Sequence, residues 1–160
     1  MGTGKSAVGR RVAARLGRRF FDTDVLIEQE AKVSISSIFS QQGEAYFRAL
    51  EKAAIDRACR EKEVVIATGG GAIVNAENAA RLKENGTVIC LTATPEAILE
   101  RVRGNADRPL LQGDDPLEKI RSLLATRAKA YAKADVIIDT SELDVDRVVE
   151  TIVSLVGEAH

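Results

Sequence analysis

Apolar positions along the chain keep two rhythms. Short continuous runs rich in β-branched residues read as buried strands: RFFD around 18–22, VVIAT at 64–68, TVICLT at 87–92 and VIID at 136–139. Between them, longer stretches repeat at helical spacing, over 5–16, 34–61, 77–84, 95–102 and 116–133. A last helix carries Val145, Val148, Val149, Ile152 and Val156, an i, i+3, i+4, i+7 stripe that one core-facing side requires. Local punctuation agrees with these boundaries. Thr94-Pro95 supplies a capping hydroxyl followed by a proline at the first helical position, and Asp115-Pro116-Leu117-Glu118 has the spacing of a capping box. Strands alternating with helices predict an α/β fold, a three-layer parallel sheet with helices on both faces. Ligands in such sheets sit beyond the carboxyl ends of the strands. The residues that follow each strand are therefore the ones to inspect.

Composition narrows the class. At 160 residues the chain has the size of one domain, 1–160, and 45% hydrophobic with 29% charged residues suits a soluble globule. The 23 basic and 24 acidic side chains nearly cancel, so no overall field favours nucleic acid or an anionic membrane. Any anion must be bound by locally placed cations. Cys59 and Cys90 have no metal-ligand spacing and read as reduced packing residues. No run approaches the roughly 20 apolar residues of a membrane span, and no apolar signal core opens the chain. The expectation is a cytoplasmic monomer that binds small molecules, with neither nucleic acid nor membrane as partner. His160, the one histidine, is terminal and is not expected to act in chemistry.

The segments after the strand candidates carry the chemistry. MGTGKS at the start matches the second half of G-x-x-x-x-G-K-[ST], with Gly4-Lys5-Ser6 as its G-K-S. Backbone N–H groups of such a loop close around phosphate, lysine reaches the outer phosphates, and the hydroxyl of Ser6 suits Mg²⁺. A glycine-rich helix start with an exposed lysine has the same letters. In FFDTD, Asp22 and Asp24 alternate along an extended segment, which would point both carboxylates to one side. One can hold a metal through water while the other orients or deprotonates a hydroxyl; Asp and Thr at a strand end also cap helices. FRALE sets Arg48 and Glu51 three apart, either a surface ion pair or a guanidinium fork for a substrate carboxylate. VVIATGGGA runs a buried strand into Gly69, Gly70 and Gly71, more glycine than a turn needs, which favours close approach of something to bare backbone. In RVRGNADRPLLQGDD, Arg108 lies in a loop that can swing over a phosphate, or in an ordinary polar connection. Arg127 falls on the following helix, where a solvated arginine is the default.

Taken together, GTGKS, DTD, FRALE, GGGA, RPLL and TRAKAY, in this order and over 1–139, resemble the shikimate kinases, P-loop kinases of the nucleoside-monophosphate-kinase-like group. Any one of these motifs is weak, whereas the ordered set is specific. The resemblance implies ATP-dependent phosphorylation of the shikimate 3-hydroxyl, giving shikimate 3-phosphate and ADP, a step of aromatic biosynthesis. It implies Mg²⁺ as cofactor, with ATP as co-substrate. It places Gly2, Thr3, Gly4, Lys5, Ser6 and Ala7 on the ATP phosphates, Arg101 against adenine and Arg108 over the nucleotide, within a lid at 103–118. Ser6 would bind the metal directly and Asp22 through water. Asp24 would hold the reacting hydroxyl and is the candidate base, making Asp24, Lys5 and Arg108 the catalytic set. Arg48 and Arg127 would clamp the substrate carboxylate, with Phe39 and Phe47 lining the pocket and Gly69, Gly70 and Gly71 giving backbone contacts. Helices at 34–61 would form the substrate-binding part.

Two departures accompany the resemblance. That fold has the strand order 2-3-1-4-5, and the apolar strand 1 and first loop glycine that normally precede MGTGKS are missing, so Met1 is expected to be an internal methionine of a longer protein. After the last strand, DTSELDVD is acidic where relatives carry an arginine- and proline-containing loop on the adenine side. The alternatives are a P-loop kinase for another small hydroxy acid, such as gluconate, or a non-catalytic nucleotide-binding module derived from a kinase.

Overall fold

A computed structural model describes residues 3–103 and 113–158. In chain order the elements are α1 (Lys5–Leu16), β1 (Arg19–Asp22), α2 (Thr23–Ala31), α3 (Ile35–Gln42), α4 (Glu44–Cys59), β2 (Val64–Ala67), a 3₁₀ turn (Ala72–Val74), α5 (Ala76–Asn85), β3 (Ile89–Thr92), α6 (Pro95–Val102), α7 (Pro116–Tyr131), β4 (Val136–Asp139) and α8 (Val145–Glu158). The four predicted strands and the predicted caps are present. Thr94 Oγ1 accepts from the Ala97 N–H at 3.2 Å, and Asp115 Oδ1 accepts from the Glu118 N–H at 3.1 Å.

Within the helical stretch 34–61, Gly43, at φ 86°, ends α3 and starts α4. Only glycine takes that conformation without strain, so the break is local in origin. Asp24 does not continue the strand. Asp22 Oδ1 accepts from the N–H groups of Asp24 and Val25 at 2.9 and 3.3 Å, which caps α2 and places Asp24 in its first turn. Strand alternation therefore does not relate the two carboxylates; a cap does.

β1 pairs with β2 in parallel, Arg19 opposite Val64 through Asp22 opposite Ala67, and β3 pairs with β4, Ile89 opposite Val136 through Thr92 opposite Asp139. Among the described residues these form two separate two-stranded sheets, with no strand joining β2 to β3. Both pairs nevertheless share a core. Val65 of β2, Ile89 and Leu91 of β3 and Val136 of β4 pack on Val8 and Val12 of α1 and on Val148, Val149 and Ile152 of α8. The neighbouring Ile66 points the other way, onto Ile55 and Cys59 of α4, Ala72 and Leu82. Alternation along β2 thus meets a helical layer on each face. A third cluster, with Ile27, Ile38, Phe47 and Ala54 at its centre, joins α2, α3 and α4. A fourth, built on Ile98, Val102 and Ile120, joins α6 and α7. No helix among the described residues is long and apolar enough to cross a membrane.

Candidate active site

The carboxyl ends of β1 and β2 gather most of the candidate residues. On the phosphate side, α1 begins immediately after Gly4, which sits at φ 81°, and no side chain caps its amide end. Its first turn holds no acidic residue, and the positions of Gly4, Ser6 and Ala7 are exposed. Unsatisfied N–H groups at the positive end of a helix attract an anion such as phosphate. Thr3 is buried beside them. Lys5 exerts its charge on Cys90 of β3, whose thiol is pushed up by burial and pulled back by that cation. Gly2 and Arg108 lie outside the described residues, as does the 104–112 part of the expected lid.

One carboxylate links the phosphate side to the substrate side. Asp22 Oδ2 accepts from the Ser6 hydroxyl at 2.5 Å, while its Oδ1 caps α2 and takes the Asp24 N–H. The hydroxyl and carboxylate that meet here are hard oxygen donors of the type Mg²⁺ prefers. That ion needs only one or two protein oxygens when phosphates and waters complete its octahedron. The donor set therefore suits Mg²⁺.

The triple glycine organises the substrate side, and each of its glycines meets a different partner. A Cβ on Gly69 would lie 3.0 Å from Glu51 Oε2 and 3.2 Å from Asp24 Oδ1. A Cβ on Gly71 would lie 2.6 Å from Arg48 Nη2. The Gly70 carbonyl accepts from the Tyr131 hydroxyl at 2.6 Å. The absence of side chains lets two carboxylates and a guanidinium press against the backbone at the end of β2.

Arg48 and Glu51 are not a surface pair. Arg48 Nη1 donates to Glu51 Oε1 at 2.9 Å, and Glu51 is only 1% exposed. Burial pushes the Glu51 carboxyl up, against the pull of Arg48 and, more weakly, Arg127. Its Oε2 is buried with no hydrogen-bond partner among the described residues. Arg48 Nη2 also donates to the exposed Glu44 at 3.2 Å, and the guanidinium lies 5.3 Å from the centre of the Phe47 ring. Phe47 packs on Phe39 with ring centres 4.8 Å apart, so the two aromatics form a wall under the arginine as well as part of the core. Arg127 is 7% exposed, which corrects the default of a solvated arginine on that helix. Its charge acts on both Glu51 and Tyr131.

Arg101 lies elsewhere, at the end of β4. Its Nη1 donates to Thr140 Oγ1 at 2.9 Å and its Nη2 to the Thr140 carbonyl at 2.5 Å. Thr140 is itself buried and donates to the Thr92 carbonyl at 2.9 Å, so β3 and β4 hold the arginine in place. Motif reading gave no part to Thr140 or Tyr131. For Tyr131 a signal was available, since it stands four residues after Arg127 on the same helical face.

Two carboxylates, two arginines, a hydroxyl–carboxylate pair and an open helix amide end are groups that can bind an anionic, hydroxylated small molecule and a phosphate. Known proteins resemble the chain as a whole. The family model described as shikimate kinase matches residues 1–156. A shikimate kinase of Thermoanaerobacter pseudethanolicus is 49% identical over 153 residues, 96% of this chain and 90% of that protein. Among solved structures, the shikimate kinase of Acinetobacter baumannii in complex with shikimate superposes with a TM-score of 0.95 at 38% identity, over 99% of this chain and 89% of that one. The enzyme of Bacteroides thetaiotaomicron superposes at 0.90 with 30% identity, over 98% and 94% of the two chains. With the family model covering nearly every residue and the fold shared throughout, the chain belongs to the shikimate kinase family.

Proposed function

We propose that the protein transfers the γ-phosphoryl group of ATP to the 3-hydroxyl of shikimate, giving shikimate 3-phosphate and ADP. The observation that carries this reading is the convergence on residues 69–71 of Asp24, Glu51, Arg48 and Tyr131, with the buried Arg127 one helical turn before Tyr131. Two arginines on one side select a planar carboxylate, and a carboxylate on the other can take the proton of a hydroxyl. Asp24 serves as base and Arg48 with Arg127 as the clamp. Phe39 and Phe47 support the floor, and Gly69, Gly70 and Gly71 offer backbone contacts.

The Ser6–Asp22–Asp24 connection sets the distance between phosphate and hydroxyl, because one aspartate bonds both neighbours. Holding the reactants in line supplies much of the acceleration in phosphoryl transfer. Lys5 and the amide end of α1, with Gly2, Thr3, Gly4, Ser6 and Ala7, cradle the phosphates. Arg101, anchored on Thr140, is assigned to the adenine, and Arg108, outside the described residues, to the nucleotide phosphates. Ser6 would hold Mg²⁺ directly and Asp22 through water, and the bound ion would supply neutralising charge for the phosphates. Residues 103–118 act as lid and 34–61 as the substrate-binding part of one domain. The protein works as a cytoplasmic monomer on small molecules, without nucleic acid or membrane.

The sheet belongs to the same reading. The family order 2-3-1-4-5 has one further parallel strand between those that correspond to β2 and β3. Its support is that two strand pairs share one core without hydrogen-bonding to each other.

The test is ADP release from Mg-ATP with and without shikimate, with gluconate as control. Shikimate-dependent release is expected. Release that ignores shikimate, or that gluconate stimulates instead, overturns the assignment.

A further inference from the structure

Arg101 stands on the last turn of α6 at an exposed position, where an arginine head ordinarily moves freely in water. Here one residue fixes it twice. Its Nη1 donates to the Thr140 hydroxyl at 2.9 Å and its Nη2 to the Thr140 carbonyl at 2.5 Å. Guanidinium N–H groups lie in one plane, so two bonds to one residue fix the tilt of that plane as well as its position. Thr140 is 2% exposed, and its hydroxyl donates to the Thr92 carbonyl at 2.9 Å. That carbonyl already accepts the Thr140 N–H at 2.8 Å, so the strand pair closes without the hydroxyl. Sending its proton to Thr92 turns the lone pairs of the hydroxyl to the arginine, which can only donate. The loop is tied in turn to the helix that carries the arginine. Ser141 Oγ accepts from the Thr94 N–H at 2.9 Å and donates to Asp139 Oδ1 at 2.6 Å.

We infer that Thr140 is a positioning residue for the nucleotide: its hydroxyl and carbonyl orient the Arg101 guanidinium for stacking on the base before the nucleotide arrives. The inference rests on the assignment of Arg101 to adenine in the function proposed above. Thr92 ends β3 and Thr140 follows β4, at the carboxyl edge where ligands of parallel sheets lie. The helix with the open amide end shares that region, since Val8 near its start and Leu91 beside Thr92 belong to one core cluster. A planar guanidinium stacks on an aromatic face, and the stack fails when the plane turns. Freedom that the arginine loses before binding is not lost again during it. Valine fills nearly the same space as threonine and keeps the carbonyl, but it offers the guanidinium one acceptor in place of two. The plane can then turn about the bond that is left.

The experiment titrates Mg-ADP into the unsubstituted protein, Thr140→Ser, Thr140→Val, Arg101→Ala and the double variant of the last two. Thermal midpoints and the shikimate KM are recorded beside the dissociation constants. Thr140→Val should weaken Mg-ADP about three- to tenfold, the cost of ordering one long side chain on binding, with the shikimate KM and the thermal midpoint little changed. Thr140→Ser, which restores the hydroxyl, should bind like the unsubstituted protein. Because Thr140 acts through Arg101, the double variant should bind no worse than Arg101→Ala alone. Unchanged affinity in Thr140→Val overturns the inference, as does failure of serine to rescue or strict additivity in the double variant. A lowered thermal midpoint with the shikimate KM raised as well shows a merely structural threonine and overturns it too. Full affinity in Arg101→Ala, or no Mg-ADP binding by the unsubstituted protein, overturns the adenine assignment and the inference with it. Binding is read without turnover, so a lack of shikimate-dependent turnover overturns the proposed reaction alone.

Discussion

Replacing Gly71 by alanine puts a methyl group 2.6, 2.8 and 2.9 Å from Nη2, Nη1 and Cζ of Arg48. Ordinary contact starts near 3.5 Å, so the guanidinium must retreat by about 1 Å. The backbone does not resist the change: φ −93° and ψ −4° at residue 71 lie at negative φ, where most residues sit in type I turns. The whole strain therefore falls on Arg48, which is held by Glu51 at 2.9 Å and Glu44 at 3.2 Å. Charge-assisted bonds do not stretch by 1 Å and survive, so the proposed clamp would lose contact with the substrate carboxylate. A hydrogen bond to a charged group is worth about 1.5–3 kcal/mol, which is roughly ten- to a hundredfold in KM. Initial rates at saturating Mg-ATP should show that rise for shikimate, with the ATP KM unchanged. Thermal unfolding should move by only about 2–4 °C, the equivalent of about 1 kcal/mol in a domain of this size. An unaltered shikimate KM, or a large loss of stability with KM preserved, would show that Arg48 does not depend on the bare Gly71 backbone.

Asp24→Asn should reduce shikimate-dependent turnover by about 10²–10⁴-fold, the usual contribution of a general base, while the ATP KM holds; steady-state rates check both. Glu51 makes stability depend on pH in a defined direction. Burial raises its carboxyl above the ordinary 4.5, so between that value and its folded-state value the native protein binds more protons than the unfolded chain. Stability contributed by this group is therefore full below pH 4.5 and is lost as pH rises through the folded-state value. Thermal midpoints of Glu51→Gln, subtracted from those of the unsubstituted protein over that window, should isolate this decline. Glu77, Glu96 and Asp139 are held low by hydrogen bonds and act in the opposite sense in both proteins. Ile55, fully buried between α4 and β2, should cost about 2–5 kcal/mol when replaced by alanine, a fall of roughly 5–15 °C in thermal midpoint.

Periodicity alone located the strands and most helices, because burial on a sheet or under a helix imposes spacings of 2 and 3.6 that survive in one dimension. The α8 stripe is the clearest case: Val148, Val149 and Ile152 are buried, and Val145 and Val156 pack against them. Local chemistry was legible as well, in the cap at Thr94 and in the G-K-S opening of α1. Asp24 was misplaced because the pattern of Asp22 and Asp24 is the same in a strand and at a capped helix start. Only the hydrogen bonds that Asp22 Oδ1 accepts from the backbone N–H groups of Asp24 and Val25 distinguish them.

Spacing of three residues between Arg48 and Glu51 placed them on one helical side, but could not say that this side is buried. That depends on β2 and the 3₁₀ turn covering α4. The same holds for Tyr131, whose setting is decided by a glycine turn some sixty residues earlier. What the sequence determined about this protein is which elements form and which residues carry charge at the ends of its strands. What tertiary structure alone decided is which glycine meets which carboxylate or guanidinium, because contacts between residues far apart in the chain leave no period along it.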